Sequence, residues 1–417
     1  MDSLTPRVEE SKARSNSAQG VWHRATSRLA QGDIGSLPVL LGLVLIALIF
    51  QLANHNFLKP VNLTNLLVQI SAVGTISVGV VLVLLIGEID LSVGAVSGFT
   101  AGVMAVLAVK IGLPAILSVA LGILSGILIG LLQGFWFAKL HVPSFVVTLA
   151  GYLGWQGALL YVLGSTGTIN LTPPLIVGIA NARLPVALGW ALGFVFLIAI
   201  TLNWLRERSE RIRSGLEAQP IAVLAIRIAT VVAATFIAIG LMSVNRNPVA
   251  GGSPIRGVPS AVLFFIGFVV LFDWITRRTR FGRYMFAVGG NVEAARRAGI
   301  NVDRIRITVF ILCSMLAACG GILAGSRLLA VNQSSGSGDV LLNAIAAAVI
   351  GGTSLFGGRG STWSALLGAL IIGSIANGMD LLAFSSSIKF MVTGAVLLLA
   401  VTLDAYTHAR RLQTGRS

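Results

Sequence analysis

Twelve apolar stretches of about twenty residues each, the length that spans a hydrocarbon core of about 30 Å as α-helix, leave this chain few ways to fold. They run over 37–54, 65–86, 91–109, 114–137, 144–163, 185–204, 220–243, 258–275, 305–330, 340–357, 362–382 and 388–404. Backbone groups in hydrocarbon must be paired within their own segment or in a closed barrel. Alternating ten-residue strands of the barrel kind are absent, so the expected fold is an all-α polytopic membrane protein. Of the 417 residues, 55% are hydrophobic and only 11% charged, against about 25% charged in soluble domains. That leaves no room for a sizeable soluble domain. The weakest span is 340–357, rich in Ala and Gly and a candidate re-entrant segment, so the expected count is about 12, within 10–12.

Charge orients the bundle. The formal balance is +15, but the basic residues lie in short patches between spans, which argues against a nucleic-acid partner. Five Lys/Arg fall in the tail 1–36, read as disordered, four in 205–219 (Arg206, Arg208, Arg211, Arg213) and seven in the loop 276–304. The C-terminal tail 405–417 adds Arg410, Arg411 and Arg416. Twelve spans place all these patches on one side, with Lys139. The positive-inside rule makes that side the cytoplasm, with both termini on it. The first 36 residues lack the apolar core and cleavage site of a secretory signal, so the first span is expected to be retained.

Within the membrane domain 37–404, glycines recur every fourth residue: Gly94, Gly98 and Gly102, then Gly122, Gly126, Gly130 and Gly134. Such a stripe lets another backbone come close, in the same chain or in a second copy. Ionisable groups near membrane depth are few, and each is a functional candidate. Glu88, Asp90 and Ser92 join two spans with almost no loop. Asp90 can cap a helix beginning at Leu91 or line a solute path. Arg327, near the outer end of its span, can snorkel or line that path. Ile86, Gly87, Leu91 and Gly94 recur at the offsets of Ile350, Gly351, Leu355 and Gly358, the pattern of an internal repeat with matching helix breaks.

Other chemistry is not visible. Gly352–Gly357 imitates a phosphate-binding loop, but Gly358 stands where Lys is needed. The histidines (His23, His55, His141, His408) show no metal-ligand spacing, and Cys313 and Cys319 lie about 120° apart around one helix and cannot pair within it. Neither a cofactor nor a metal is expected, and no nucleophile, base and orienting group sit together.

One short helix stands out in the basic loop 276–304. Asn291 can cap it, Glu293 puts a negative charge in its first turn, Arg296 and Arg297 favour its last turn, and Gly299 can end it. Ala294, Ala295 and the arginines are then expected to face outward. It is either a solvated connector or a handle that a second protein grips.

The segments Ile86–Gly94, Val142–Gly151, Phe281–Gly299 and Ala344–Gly358, in that order, resemble the permease subunits of bacterial ABC sugar importers, the ribose and xylose group, from about residue 60 to 405. The resemblance implies an inner-membrane permease pair, most simply a homodimer in the lipid bilayer. An ABC ATPase subunit would sit beneath it and a periplasmic sugar-binding protein above. It further implies that Gly289, Gly290, Asn291, Glu293, Ala294, Ala295, Arg296, Arg297 and Gly299 belong to the loop that meets the ATPase, which hydrolyses the ATP. The added stretch around 204–245 is similar to the xylose-type members, making xylose the expected solute. One departure is Asn343, where the family usually carries an acid. An ion-coupled secondary transporter is the rival; it should carry paired intramembrane acids, and only Glu88 and Asp90 could serve.

Overall fold

The computed structural model describes residues 37–216, 218, 220–247 and 252–413; the basic tail 1–36 lies outside the described residues. Among the described residues, ten helices are long and apolar enough to cross a membrane, and two more apolar helices are shorter. Two compact units result. One is Pro185–Gly257, and the other comprises Val39–Leu184 with the chain from Val258 onward.

The smaller unit is a helical pair, α7 (Val186–Arg213) and α8 (Ile221–Ser243), numbered after the six helices of the larger unit that precede them. Trp190 and Phe194 of α7 meet the Phe236 ring of α8 edge-on at 5.1 and 5.8 Å. Gly193 makes room for Ile239. The predicted span 185–204 does not stop at its apolar end: the helix carries the basic patch Arg206–Arg213 as a continuation. The Arg227 guanidinium lies over the Trp204 ring at 4.2 Å, so it stacks rather than only reaching for solvent.

The larger unit begins with α1 (Leu37–Ala53), α2 (Pro60–Leu85), α3 (Val93–Ala105, continued as a π-turn to Lys110), α4 (Ala115–Lys139), α5 (Ser144–Leu163) and α6 (Pro174–Asn181). After the helical pair come α9 (Ser260–Arg278), α10 (Arg280–Gly290), α11 (Val292–Arg297), α12 (Val302–Leu328), α13 (Gly338–Ile350), α14 (Thr362–Leu381) and α15 (Ser386–Gln413). The last of these continues through the predicted tail as far as Gln413. Two antiparallel pairs of very short strands clip connecting loops: β1 (Thr168–Asn170) with β4 (Ala330–Asn332), and β2 (Arg183–Leu184) with β3 (Val258–Pro259).

At the centre of this unit α12 packs on α2, α3 and α4. The glycine stripe of α4 meets α12 of the same chain. A Cβ on Gly126 would stand 2.7 Å from the Ser314 carbonyl oxygen, and one on Gly130 would stand 2.5 Å from that of Phe310. Small residues here replace side-chain contact by backbone contact, which hydrocarbon cannot otherwise drive.

Three expectations about boundaries change. The helix after the Glu88 loop starts at Val93, not Leu91. The predicted span 340–357 is the 13-residue helix α13, about 20 Å long and too short to cross; irregular chain follows it to Ser361. The basic loop 276–304 is largely helical. The amphipathic α10 precedes α11, with Thr279 accepting from the Gly282 amide at 3.2 Å as its cap. Polar residues at its exposed positions hid that helix in the sequence, where length and apolar runs were the guide.

Candidate coupling site and helix breaks

Asn291 caps α11 as its chemistry dictates, its Oδ1 accepting from the Ala294 amide at 2.9 Å. The other end closes by paired bonds. The Ile300 amide donates to the Ala295 carbonyl at 3.1 Å and the Gly299 amide to that of Arg296 at 3.0 Å, with Gly299 at φ +80°. This is the left-handed termination that glycine permits. Glu293 pairs with Arg296 at 2.7 Å. Glu293, Ala294, Arg296 and Arg297 are exposed, but Ala295 is only 4% exposed and belongs to the core of the unit. The expectation that Ala295 faces outward is therefore corrected. In a six-residue helix lying on a surface, one position in each turn points inward, and here that position is Ala295.

Just before α11, three glycine-bearing segments meet backbone to backbone. The Gly358 amide donates to the Leu85 carbonyl at 3.0 Å. A Cβ on Gly289 would stand 1.8 Å from that same carbonyl oxygen, and one on Gly357 would stand 2.7 Å from the Gly289 carbonyl and 2.9 Å from Gly87 Cα. Gly290 has open space around it. The ends of α2 and α10 and the loop after α13 thus touch with no side chain between them. Both copies of the repeated motif fall at helix ends: Ile86 caps α2 and Ile350 closes α13. The restart differs, at Val93 in the first copy and Thr362 in the second.

Glu88 lies at the same end of the bundle. It accepts from the Ser144 hydroxyl at 2.7 Å and from Arg306 at 3.2 Å. Arg306 in turn covers the Phe137 ring at 4.5 Å. Burial raises the Glu88 carboxyl above its ordinary range, against the pull of Ser144 and Arg306. Asp90 is 3% exposed and takes both donors of Ser92, the amide at 2.8 Å and the hydroxyl at 2.6 Å. It therefore braces Ser92, which precedes α3, rather than capping a helix at Leu91. The same Ser92 Oγ lies 3.1 Å from the Gln133 Oε1. Arg306 and Gln133 were passed over in the sequence; a lone Arg beside a basic loop and a Gln inside a glycine stripe gave no sign of pairing with Glu88 and Ser92. Arg327 is in the last turn of α12 and Asn343 is half-buried on α13. The structure does not bring either to the glycine junction.

Broken helices within a polytopic bundle are a feature that membrane transport proteins share. The family model described as the branched-chain amino acid transport system permease component matches residues 62–401, and the chain belongs to that family. The xylose transport system permease protein XylH of Escherichia coli is 38% identical over 354 residues, 85% of this chain and 87% of its own length. XylH of Haemophilus influenzae is 35% identical over 373 residues, covering 88% and 96%. The ribose import permease protein RbsC of Escherichia coli is 35% identical over 364 residues, covering 87% and 91%. No solved structure matches the chain. The protein is a multi-pass membrane permease of the ABC ribose/xylose group.

Proposed function

We propose that this chain is the membrane-spanning subunit of an ATP-driven importer of a monosaccharide, xylose. In this reading it forms the translocation path and is moved by a separate ATPase pressing on α11. Likeness to the xylose permeases over more than four-fifths of the chain carries the proposal. The exposed charged surface of α11, attached to the glycine junction, supports the coupling role. In the proposed assembly two copies form the path, with both termini and α11 in the cytoplasm and a sugar-loaded binding protein on the opposite side. A switch between two openings needs an energy difference between states. The ATPase partner would supply it.

The test is uptake of labelled xylose, ribose and galactose in cells lacking the chain and in cells with it restored. Loss and rescue of xylose uptake alone supports the proposal; rescue of a different sugar rejects xylose as the solute. The ion-coupled rival has the buried Asp90 in its favour. Collapsing the proton and sodium gradients at constant ATP separates the two, because only the rival then stops.

A further inference from the structure

Two irregular segments enter this unit from opposite ends and meet near its middle. From the basic end, residues 86–92 climb to α3. Ser92 pairs with Gln133, six residues before Lys139 at the end of α4, so α3 starts about 9 Å in at 1.5 Å per residue. From the other end the chain leaves β4 and descends. The Ser335 carbonyl oxygen lies where a Cβ on Gly98 would be 2.0 Å away, and that of Gly336 would be 2.8 Å from one on Gly94. Gly98 is six residues beyond Ser92, about another 9 Å. The descending loop therefore lies between about 18 Å (at Gly98) and about 12 Å (at Gly94) from the basic face, in the middle part of a core about 30 Å thick. There α13 begins.

The residues at this depth are not those of a lipid-facing surface. Asp339 is exposed on the single chain, its carboxylate accepting from the Ser337 hydroxyl. An acid at mid-membrane depth faces a water-filled path or the bundle interior, not hydrocarbon. Beside the start of α13, Tyr152, Trp155 and Gln156 share one face of α5 at the i, i+3 and i+4 spacing. The Gln156 amide donates to the Gln333 carbonyl at 3.1 Å, and a Cβ on Gly338 would lie 3.5 Å from the Tyr152 hydroxyl. Phe99 backs the Trp155 ring at 5.5 Å. The indole N–H of Trp155 and the side-chain oxygen of Gln156 are buried with no hydrogen-bond partner among the described residues. Unmade bonds of that kind are costly, and a ligand with hydroxyl groups would complete both.

We propose that Tyr152, Trp155 and Gln156 of α5, with Ser337, Asp339 and Asn343 at the start of α13, form a mid-membrane binding site for a neutral polyhydroxylated molecule, a pentose in transit. The proposal rests on the sugar-importer reading above and adds the place where the sugar pauses. One carboxylate, two amides and hydroxyls both donate to and accept from a polyol. The aromatic rings offer a flat apolar wall of the kind small-molecule sites use. A cation is a poorer occupant, because the described residues hold no group of three His, Cys, Asp or Glu side chains that could bind one.

The test uses sealed membrane vesicles carrying the whole transporter and a water-soluble thiol reagent. Ser337→Cys is the reporter, Leu153→Cys on the outward side of α5 the negative control, and the parent chain the blank. Ser337→Cys should label and Leu153→Cys should not. Xylose at about ten times its dissociation constant should slow labelling about tenfold, the factor 1 + [L]/Kd, while an unrelated dicarboxylate should not slow it. Asp339→Asn, with unchanged expression and melting temperature, should lower xylose uptake about tenfold or more, as expected for a lost charged hydrogen bond. Vesicles that take up xylose while Ser337→Cys stays unlabelled, or labels equally with and without xylose, overturn the site but not the importer. Wild-type vesicles that take up no pentose overturn both.

Discussion

The amide of Gly358 hydrogen-bonds the carbonyl of Leu85 at 3.0 Å, although 272 residues separate them in the chain. That bond ties the break after α13 to the end of α2, and Gly289 of α10 is packed against the same carbonyl. In the proposed coupling, a push on α11 would reach both helix breaks through these backbone contacts. Backbone contacts do not yield by rotamer change, so displacement passes on rather than being absorbed.

Gly289 and Gly290 are neighbours with opposite tolerance. A methyl at 289 collides with the Leu85 carbonyl, whereas one at 290 meets open space. Overpacking costs about 1–3 kcal/mol, so Gly289→Ala should lower the melting temperature in detergent and Gly290→Ala should leave it close to wild type. Equal melting of the two variants would refute the junction.

The α4 stripe makes a similar contrast. Gly130→Leu must displace the backbone of Phe310, while Gly154 of α5 has nothing within 4 Å. Gly130→Leu should fail to accumulate as folded protein and Gly154→Ala should accumulate normally, read by size-exclusion profile of the solubilised chain.

Glu88 gives stability a pH dependence of stated sign. Burial raises its carboxyl above the ordinary value despite Ser144 and Arg306. The folded state then holds that proton more tightly than the unfolded one. The contribution is complete below the unfolded value and is lost as pH rises through the folded one. Melts from about pH 4 to pH 8, bracketing the ordinary value of about 4.3, should show wild-type stability relative to Glu88→Gln falling as pH rises. A flat or rising difference would contradict the assignment.

Glu293→Arg removes an exposed ion pair with Arg296 and reverses the charge α11 presents. Exposed pairs contribute little to stability, so melting should hardly move. Sugar-stimulated ATP hydrolysis by the assembled transporter should disappear. Retained stimulation would show that α11 is not the coupling surface.

Much of the fold was open to reading along the chain. Runs of apolar residues located the long helices, because hydrocarbon demands helical pairing wherever such a run is long enough. Asn291 and Gly299 marked the ends of α11 because caps are local chemistry. The amphipathic α10 was missed because no apolar run announces it. The short α13 was drawn too long, because Gly351, Gly352, Leu355 and Phe356 prolong the weakly polar run past Ile350 into a turn. Asp90 stood open between capping a helix at Leu91 and lining a path, since its partner, Ser92, depends on where the backbone bends.

The sequence by itself determined the class of protein, its membrane-crossing helices, the α11 caps and the sugar-permease kinship, all set by local composition or by short motifs. Only the tertiary structure decided which backbone each glycine admits, that Ala295 faces inward, that Glu88 pairs with Arg306, and that the 333–337 loop descends to α3. Those relations join residues far apart in the chain, and a glycine carries no mark of the neighbour it makes room for.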